Sequence, residues 1–127
     1  MKVLNKDELP GRGDFGDGVS AHSEAIKTDS YSALQTTKTK FKLDGAYSAL
    51  SFTAYNCSNY TARVQILDGA TAIVLWSATI GAGESLNVAA VDISRSRDVE
   101  FAVDLTNVPI GVRGIYDAVY VCDPVVS

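Results

Sequence analysis

The stretch that decides the fold is Asp98-Val99-Glu100-Phe101-Ala102-Val103-Asp104-Leu105. Val99, Phe101, Val103 and Leu105 fall at every second residue, with Asp98, Glu100, Ala102 and Asp104 between them. A period of two puts the apolar side chains on one face of an extended strand and the carboxylates on the other. A strand with one dry and one wet face belongs to an antiparallel sheet lying on a core.

The neighbouring segments repeat the pattern. Residues 47–56 set Leu50, Phe52 and Ala54 against Ser51, Thr53 and Tyr55. Ala62, Val64 and Ile66 alternate with Arg63 and Gln65, and Leu86, Val88 and Ala90 lead on to Val91 and Ile93. Residues 39–43 alternate as well, and residues 115–122 are rich in Tyr and Val, with Asp123-Pro124 expected to close that strand. Ile73-Val74-Leu75-Trp76 is a continuous apolar run, which predicts a strand covered on both faces. Asp44-Gly45 and Asp68-Gly69 are turn dipeptides, and Gly81, Gly83, Pro109 and Gly111 mark loops. Roughly seven short strands between turn signals predict an all-β fold, an antiparallel β-sandwich or jelly roll. Residues 20–27 alone read as a helical turn or two, with Ser20 as cap.

The 127 residues suffice for one domain, and 46% hydrophobic with 20% charged residues excludes disorder throughout. A net charge of −4 argues against a nucleic-acid partner, and the absence of a long apolar run argues against a membrane span. Composition changes near Asp44. Residues 1–44 hold all six lysines and Arg12 against seven acids, whereas residues 45–127 hold four arginines against eight acids. The chain therefore divides into an extended N-terminal arm, 1–44, and a lysine-free sandwich, 45–127. Gly11, Gly13, Gly16 and Gly18 crowd the arm, and such sequence loses much entropy on ordering while offering few side chains to pack. The arm is expected to take shape on a partner, with Leu4, Leu9, Arg12, Phe15 and Tyr31 as its contacts. Residues 1–10 lack the apolar stretch of a secretory signal, so synthesis in a host cytoplasm is expected.

Few residues carry chemistry. Gly11-Arg12-Gly13-Asp14-Phe15-Gly16 spells G-x-G-x-x-G, but Pro10 and Gly18 flank it where a strand and a helix are required, so it reads as a loop. The embedded Arg-Gly-Asp is a chance-level tripeptide. Asp14 and Asp17 do not follow a calcium-loop spacing. Asp98, Glu100 and Asp104 read as surface charge, with Arg63 as a cross-strand partner, rather than as a glycosidase pair. His22 is the sole imidazole, and nothing around Cys57 or Cys122 signals an activated thiolate. No catalytic residue, metal site or cofactor is expected. Cys57 and Cys122 form a disulfide if the first and last core strands are neighbours, or remain two thiols. Asn56-Cys57-Ser58 and Asn59-Tyr60-Thr61 are sequons. Tyr55 and Tyr60 flank the Cys57 turn and are the candidate glycan or partner patch.

The body resembles the NPCBM family, a carbohydrate-binding-type sandwich found beside glycosidase domains. The resemblance lies in Tyr47-Ser48-Ala49-Leu50-Ser51-Phe52, in Ala62-Arg63-Val64-Gln65-Ile66-Leu67-Asp68-Gly69 with Leu75-Trp76-Ser77, in Val91-Asp92-Ile93-Ser94, and in Val99-Glu100-Phe101-Ala102-Val103. The closing run Asp117-Ala118-Val119-Tyr120-Val121-Cys122-Asp123-Pro124 carries Val121 where the family has Trp. The resemblance implies a sandwich and defines no sugar-contacting residue.

Arm, sandwich and absent catalytic groups together match the general plan of a phage head-decoration (cement) protein. The leading expectation is a non-enzymatic virion structural protein, located on the virion. Its arm would attach to a major capsid or other virion protein, and it would form a homo-oligomer, with a trimer as one form. The alternative is a carbohydrate-binding module that recognises surface glycans, including as an adhesin carried on a virion.

Overall fold

The computed structural model describes residues 2–3, 15–16, 21–22, 25–32, 37–106, 108–109 and 111–127. Among the described residues there are eleven strands and no helix. In chain order they are β1 (Lys2–Val3), β2 (Phe15–Gly16), β3 (Ala21–His22), β4 (Ala25–Ser32), β5 (Thr37–Lys42) and β6 (Ala49–Asn56). They continue with β7 (Ala62–Asp68), β8 (Val74–Ile80), β9 (Ser85–Asp92), β10 (Asp98–Leu105) and β11 (Arg113–Val126).

One sheet runs β1-β11-β6-β9, with β4 also paired to β11, a second runs β5-β10-β7-β8, and β2 and β3 pair as a separate two-stranded sheet. Every pairing is antiparallel. The chain crosses between the sheets after β4, β5, β6, β8, β9 and β10. This repeated crossing lets each strand turn one face inward, and it is why a period of two recurs along the sequence. β6 alternates as expected, with Leu50, Phe52, Ala54 and Asn56 buried. In β10, Val99, Phe101, Val103 and Leu105 are buried.

Aromatic rings organise the middle of the core. Phe101 meets Phe41 edge-on at 5.6 Å and Phe52 at 5.6 Å, and Phe52 meets Trp76 at 5.4 Å. Phe52 belongs to the five-stranded sheet and the other three to the four-stranded sheet, so this row joins the layers. Edge-to-face contacts add to the burial of large side chains.

Four expectations are corrected. Residues 20–27 were expected to turn helically, but β3 and β4 extend there, since no 3.6-residue period in them offers an apolar stripe. The sheets also begin before residue 45. β5 pairs β10 from Thr37↔Val103 to Lys42↔Asp98, and Phe41 and Leu43 enter the core. The change at Asp44 is thus one of composition, not a border of the sandwich, and Asp44-Gly45, both at positive φ, carries the chain from one sheet to the other. The run 73–76 is not covered on both faces, because β8 is an edge strand, with Ile73 and Val74 63% and 49% exposed. Finally, Asp123-Pro124 does not end the last strand. The register shifts between Cys122 and Val125, with Asp123 at φ 48°, and pairing resumes at Val125↔Ser51. A bulge absorbs the proline, which has no N–H to give the ladder.

Asn56 closes one end of the sandwich. Its carboxamide nitrogen donates to Tyr60 O at 2.7 Å and Ile80 O at 3.0 Å, and its oxygen accepts from Ser58 N at 3.0 Å and Ser58 Oγ at 2.7 Å. Its backbone donates to Glu84 O and accepts from Gly83 N. Asn56→Ala should cost about 2–4 kcal/mol, because the removed hydrogen bonds leave buried carbonyls unpaired. Urea unfolding checks this, and a loss under about 1 kcal/mol would show that water replaces the side chain.

Candidate functional site

The outer face of the five-stranded sheet gathers the candidate binding groups. Val119 and Val121 point into the core, so Tyr120 between them points outward. Tyr120 lies directly opposite Tyr55, and their rings meet at 6.3 Å and 62°. Beside this pair, Thr53 Oγ1 donates to Asn87 Oδ1 at 3.3 Å across the β6–β9 register. Ser85 stands opposite Tyr55 on the same face. The result is a two-ring surface flanked by short hydroxyl and amide side chains. Cys122 follows Tyr120 on that side and is buried there.

Tyr60 does not join this surface. It packs against the core cluster, where the β6–β7 connection folds back through Asn56. The pairing of Tyr55 with Tyr60 drawn from their closeness in sequence is therefore replaced by Tyr55 with Tyr120. The signal for Tyr120 was the alternation Val119, Tyr120, Val121; what sequence lacked was the register that brings it opposite Tyr55.

Cys57 and Cys122 are not joined in a disulfide. Cys122 lies opposite Thr53, and Cys57 follows four residues further on. Four extended residues span about 13 Å, beyond the roughly 7 Å between Cα atoms that a disulfide tolerates. The two strands are neighbours as expected, but the register separates the thiols.

The acidic strand is surface charge tied to neighbouring strands. Arg63 Nε holds Asp104 Oδ1 at 3.0 Å, Lys38 Nζ lies 3.9 Å from Glu100, and Asp98 Oδ1 accepts Leu43 N at 3.0 Å. The sequons differ in access. Asn56 is wholly buried, whereas Asn59 is exposed in the turn.

The arm contacts are distributed unevenly. Leu4, Leu9, Arg12, Asp14 and Asp17 lie outside the described residues. Phe15 stands on β2 opposite His22 of β3, and Tyr31 on β4. β1 and β4 pair with β11 of the same chain, so these parts of the leading segment find their strand partner in the body.

At the other end of the sandwich, Asp68 and Asp92 organise loops. Asp68 accepts Ala70 N at 2.8 Å, Thr71 N at 3.0 Å and Ser96 Oγ at 2.9 Å. Gly69 donates to Asp98 O at 2.8 Å and could carry no side chain, since a Cβ would stand 2.9 Å from that of Asp98. Asp92 accepts Ser94 Oγ at 2.6 Å and Ser94 N at 2.9 Å. Leu75, Asp92, Arg95 and Ser96 line a hollow of about 170 Å³, short of the roughly 300 Å³ of a typical small-molecule site. Among the described residues no group of His, Cys, Asp and Glu is placed to hold a metal ion.

No family model matches the sequence, and no curated protein matches it. The NPCBM resemblance therefore stands on the strand motifs alone. Solved structures similar in fold are a carbohydrate-binding module of family CBM36 in complex with calcium and xylotriose and a family 6 carbohydrate-binding module. The first is 14% identical at a TM-score of 0.44 and the second 12% at 0.40, and each alignment covers 100% of this chain and 93% of the other.

The Ala70 amide first, then the Ser96 hydroxyl and the Thr71 amide, hold the Asp68 carboxyl below the usual carboxylate range. The Ser94 hydroxyl and amide do the same for Asp92, with Arg95 adding its charge. A carboxyl depressed in the folded state stabilises above the unfolded value, about 3.9, and loses that contribution as pH falls through its folded value. Melting temperature should hold steady from neutral pH to about 5 and fall below about 4. Asp68→Asn should melt lower than wild type at neutral pH, with the gap narrowing as acid is added. A gap independent of pH would show that the Asp68 charge is not what holds the loop.

Proposed function

We propose that the chain is a non-catalytic glycan-binding module whose contact surface is the outer face of the five-stranded sheet. The Tyr55–Tyr120 pair beside the Thr53–Asn87 pair carries this reading. A pyranose ring offers an apolar C–H face and a rim of hydroxyls. Tyrosine rings match the first at low entropic cost, and hydroxyl and amide side chains exchange hydrogen bonds with the second. The two half-buried rings belong to a sheet face, which suits a polymer chain lying across it. The body carries eight acids against four arginines, which favours neutral over uronic or sulfated glycans.

Affinity electrophoresis through gels containing neutral polysaccharides tests the reading. Wild type should be retarded by at least one of them, and Tyr55→Ala and Tyr120→Ala should each weaken retardation about tenfold or more while circular dichroism stays unchanged. Absence of retardation across a broad polysaccharide panel, or retardation indifferent to both substitutions, overturns it.

A further inference from the structure

The two edges of the four-stranded sheet are built differently. β5 forms one edge and carries Lys38, Lys40 and Lys42, all exposed. Lysines on an edge keep a second strand from docking there. β8 forms the other edge and, among the described residues, pairs only with β7. From Gly69 to Gly83 the sequence holds no charged residue and no proline. The large exposed apolar side chains among the described residues, Ile73 and Val74, sit at the start of this edge.

We infer that β8 is a self-association edge, and that two copies pair β8 to β8 antiparallel about a two-fold axis at Ser77. The strand is complementary to its own reverse. With Ser77 opposite the partner's Ser77, Trp76 faces the partner's Ala78, and the regular part of the strand ends there, since Leu75 is the extra residue of an irregularity in the ladder with β7. Trp76, Ala78 and Ile80 lie opposite Ile66, Val64 and Ala62 of β7, all buried, so they point to the core side. The half-buried indole of Trp76 is therefore set beside a small alanine, a large-against-small fit on the apolar side. On the wet side Ser77 meets the partner's Ser77, whereas Leu75 packs against the core cluster. No charge is buried at any position, whereas pairing through β5 would set lysines against one another. The pairing is isologous and uses the β8 edge of each copy once, so association through β8 closes at two. This inference does not depend on the glycan reading, because the association is measured without sugar present.

Sedimentation equilibrium over about 1–100 µM tests it. Wild type should move toward twice the monomer mass. Ser77→Lys places two ammonium groups across the axis and should raise the dimer Kd by about 100-fold or more. Thr79→Lys adds a charge at a second exposed position of the same edge and should also weaken the dimer, by less than Ser77→Lys, and Lys40→Ser should leave the dimer intact. A monomer throughout the range, a dimer indifferent to both lysine substitutions, or growth beyond two copies overturns the proposal.

Discussion

The carboxamide of Asn56 holds the sandwich closed at one end. It stands at the last inward position of β6, where the alternation supplies an apolar side chain at Leu50, Phe52 and Ala54. A polar group there is tolerated only because both its hydrogens and its oxygen are engaged, by carbonyls of the β6–β7 connection and of β8 and by Ser58. The backbone of the same residue takes hold of Gly83 and Glu84 in the β8–β9 loop. One residue thus joins a strand of the five-stranded sheet to the end of the four-stranded sheet. At the opposite end Ser96, also buried, bonds Asp68 and joins the β9–β10 loop to the β7–β8 turn. Between these two polar closures the core is apolar and needs no further specification.

Those closures fix where β6 lies, and β6 fixes the outer face. Its register with β11 sets Tyr55 against Tyr120, and its register with β9 sets Thr53 against Asn87. A slip by one residue would turn Tyr55 inward and Ala54 outward, losing core and surface together. The packing that stabilises the fold and the placement that defines the candidate surface are consequences of the same pairing.

This explains what the sequence disclosed. β6, β7 and β10 were readable because one side of each is buried in the chain's own core, and that leaves a period of two. The Asp-Gly turns were readable because positive φ and close backbone approach demand glycine, as at Gly45 and Gly69. Register leaves no such mark. Hence Tyr120 was missed as the partner of Tyr55, and the separation of Cys57 from Cys122 was missed although their strands are neighbours. Asn56 read as the last residue of a strand and the first of a sequon, because nothing in Asn-Cys-Ser tells a buried carboxamide from an exposed one. The run 73–76 misled for a different reason. Continuous apolar sequence shows that water is unfavourable on both faces, and it does not say whether the chain itself supplies the cover. The concentration of lysine before Asp44 was read as a domain border, whereas three of those lysines lie on β5 and guard a sheet edge.

A two-fold axis that pairs edge strands antiparallel stands perpendicular to the sheet, since opposed residues keep the same face. Joined through β8, the two four-stranded sheets would form one layer, and both five-stranded sheets would lie on the same side of it. Both Tyr55–Tyr120 surfaces would then point the same way. That geometry answers a weakness of the surface itself. Two rings meeting at 62° offer few contacts to a single sugar and hold it loosely, because the cost of immobilising the ligand is set against them. Two such surfaces on one rigid body, facing a polymer whose units repeat, make the second contact intramolecular, at an effective concentration on the order of millimolar. The uncharged edge and the aromatic face, separate features of one chain, would then act on the same binding free energy.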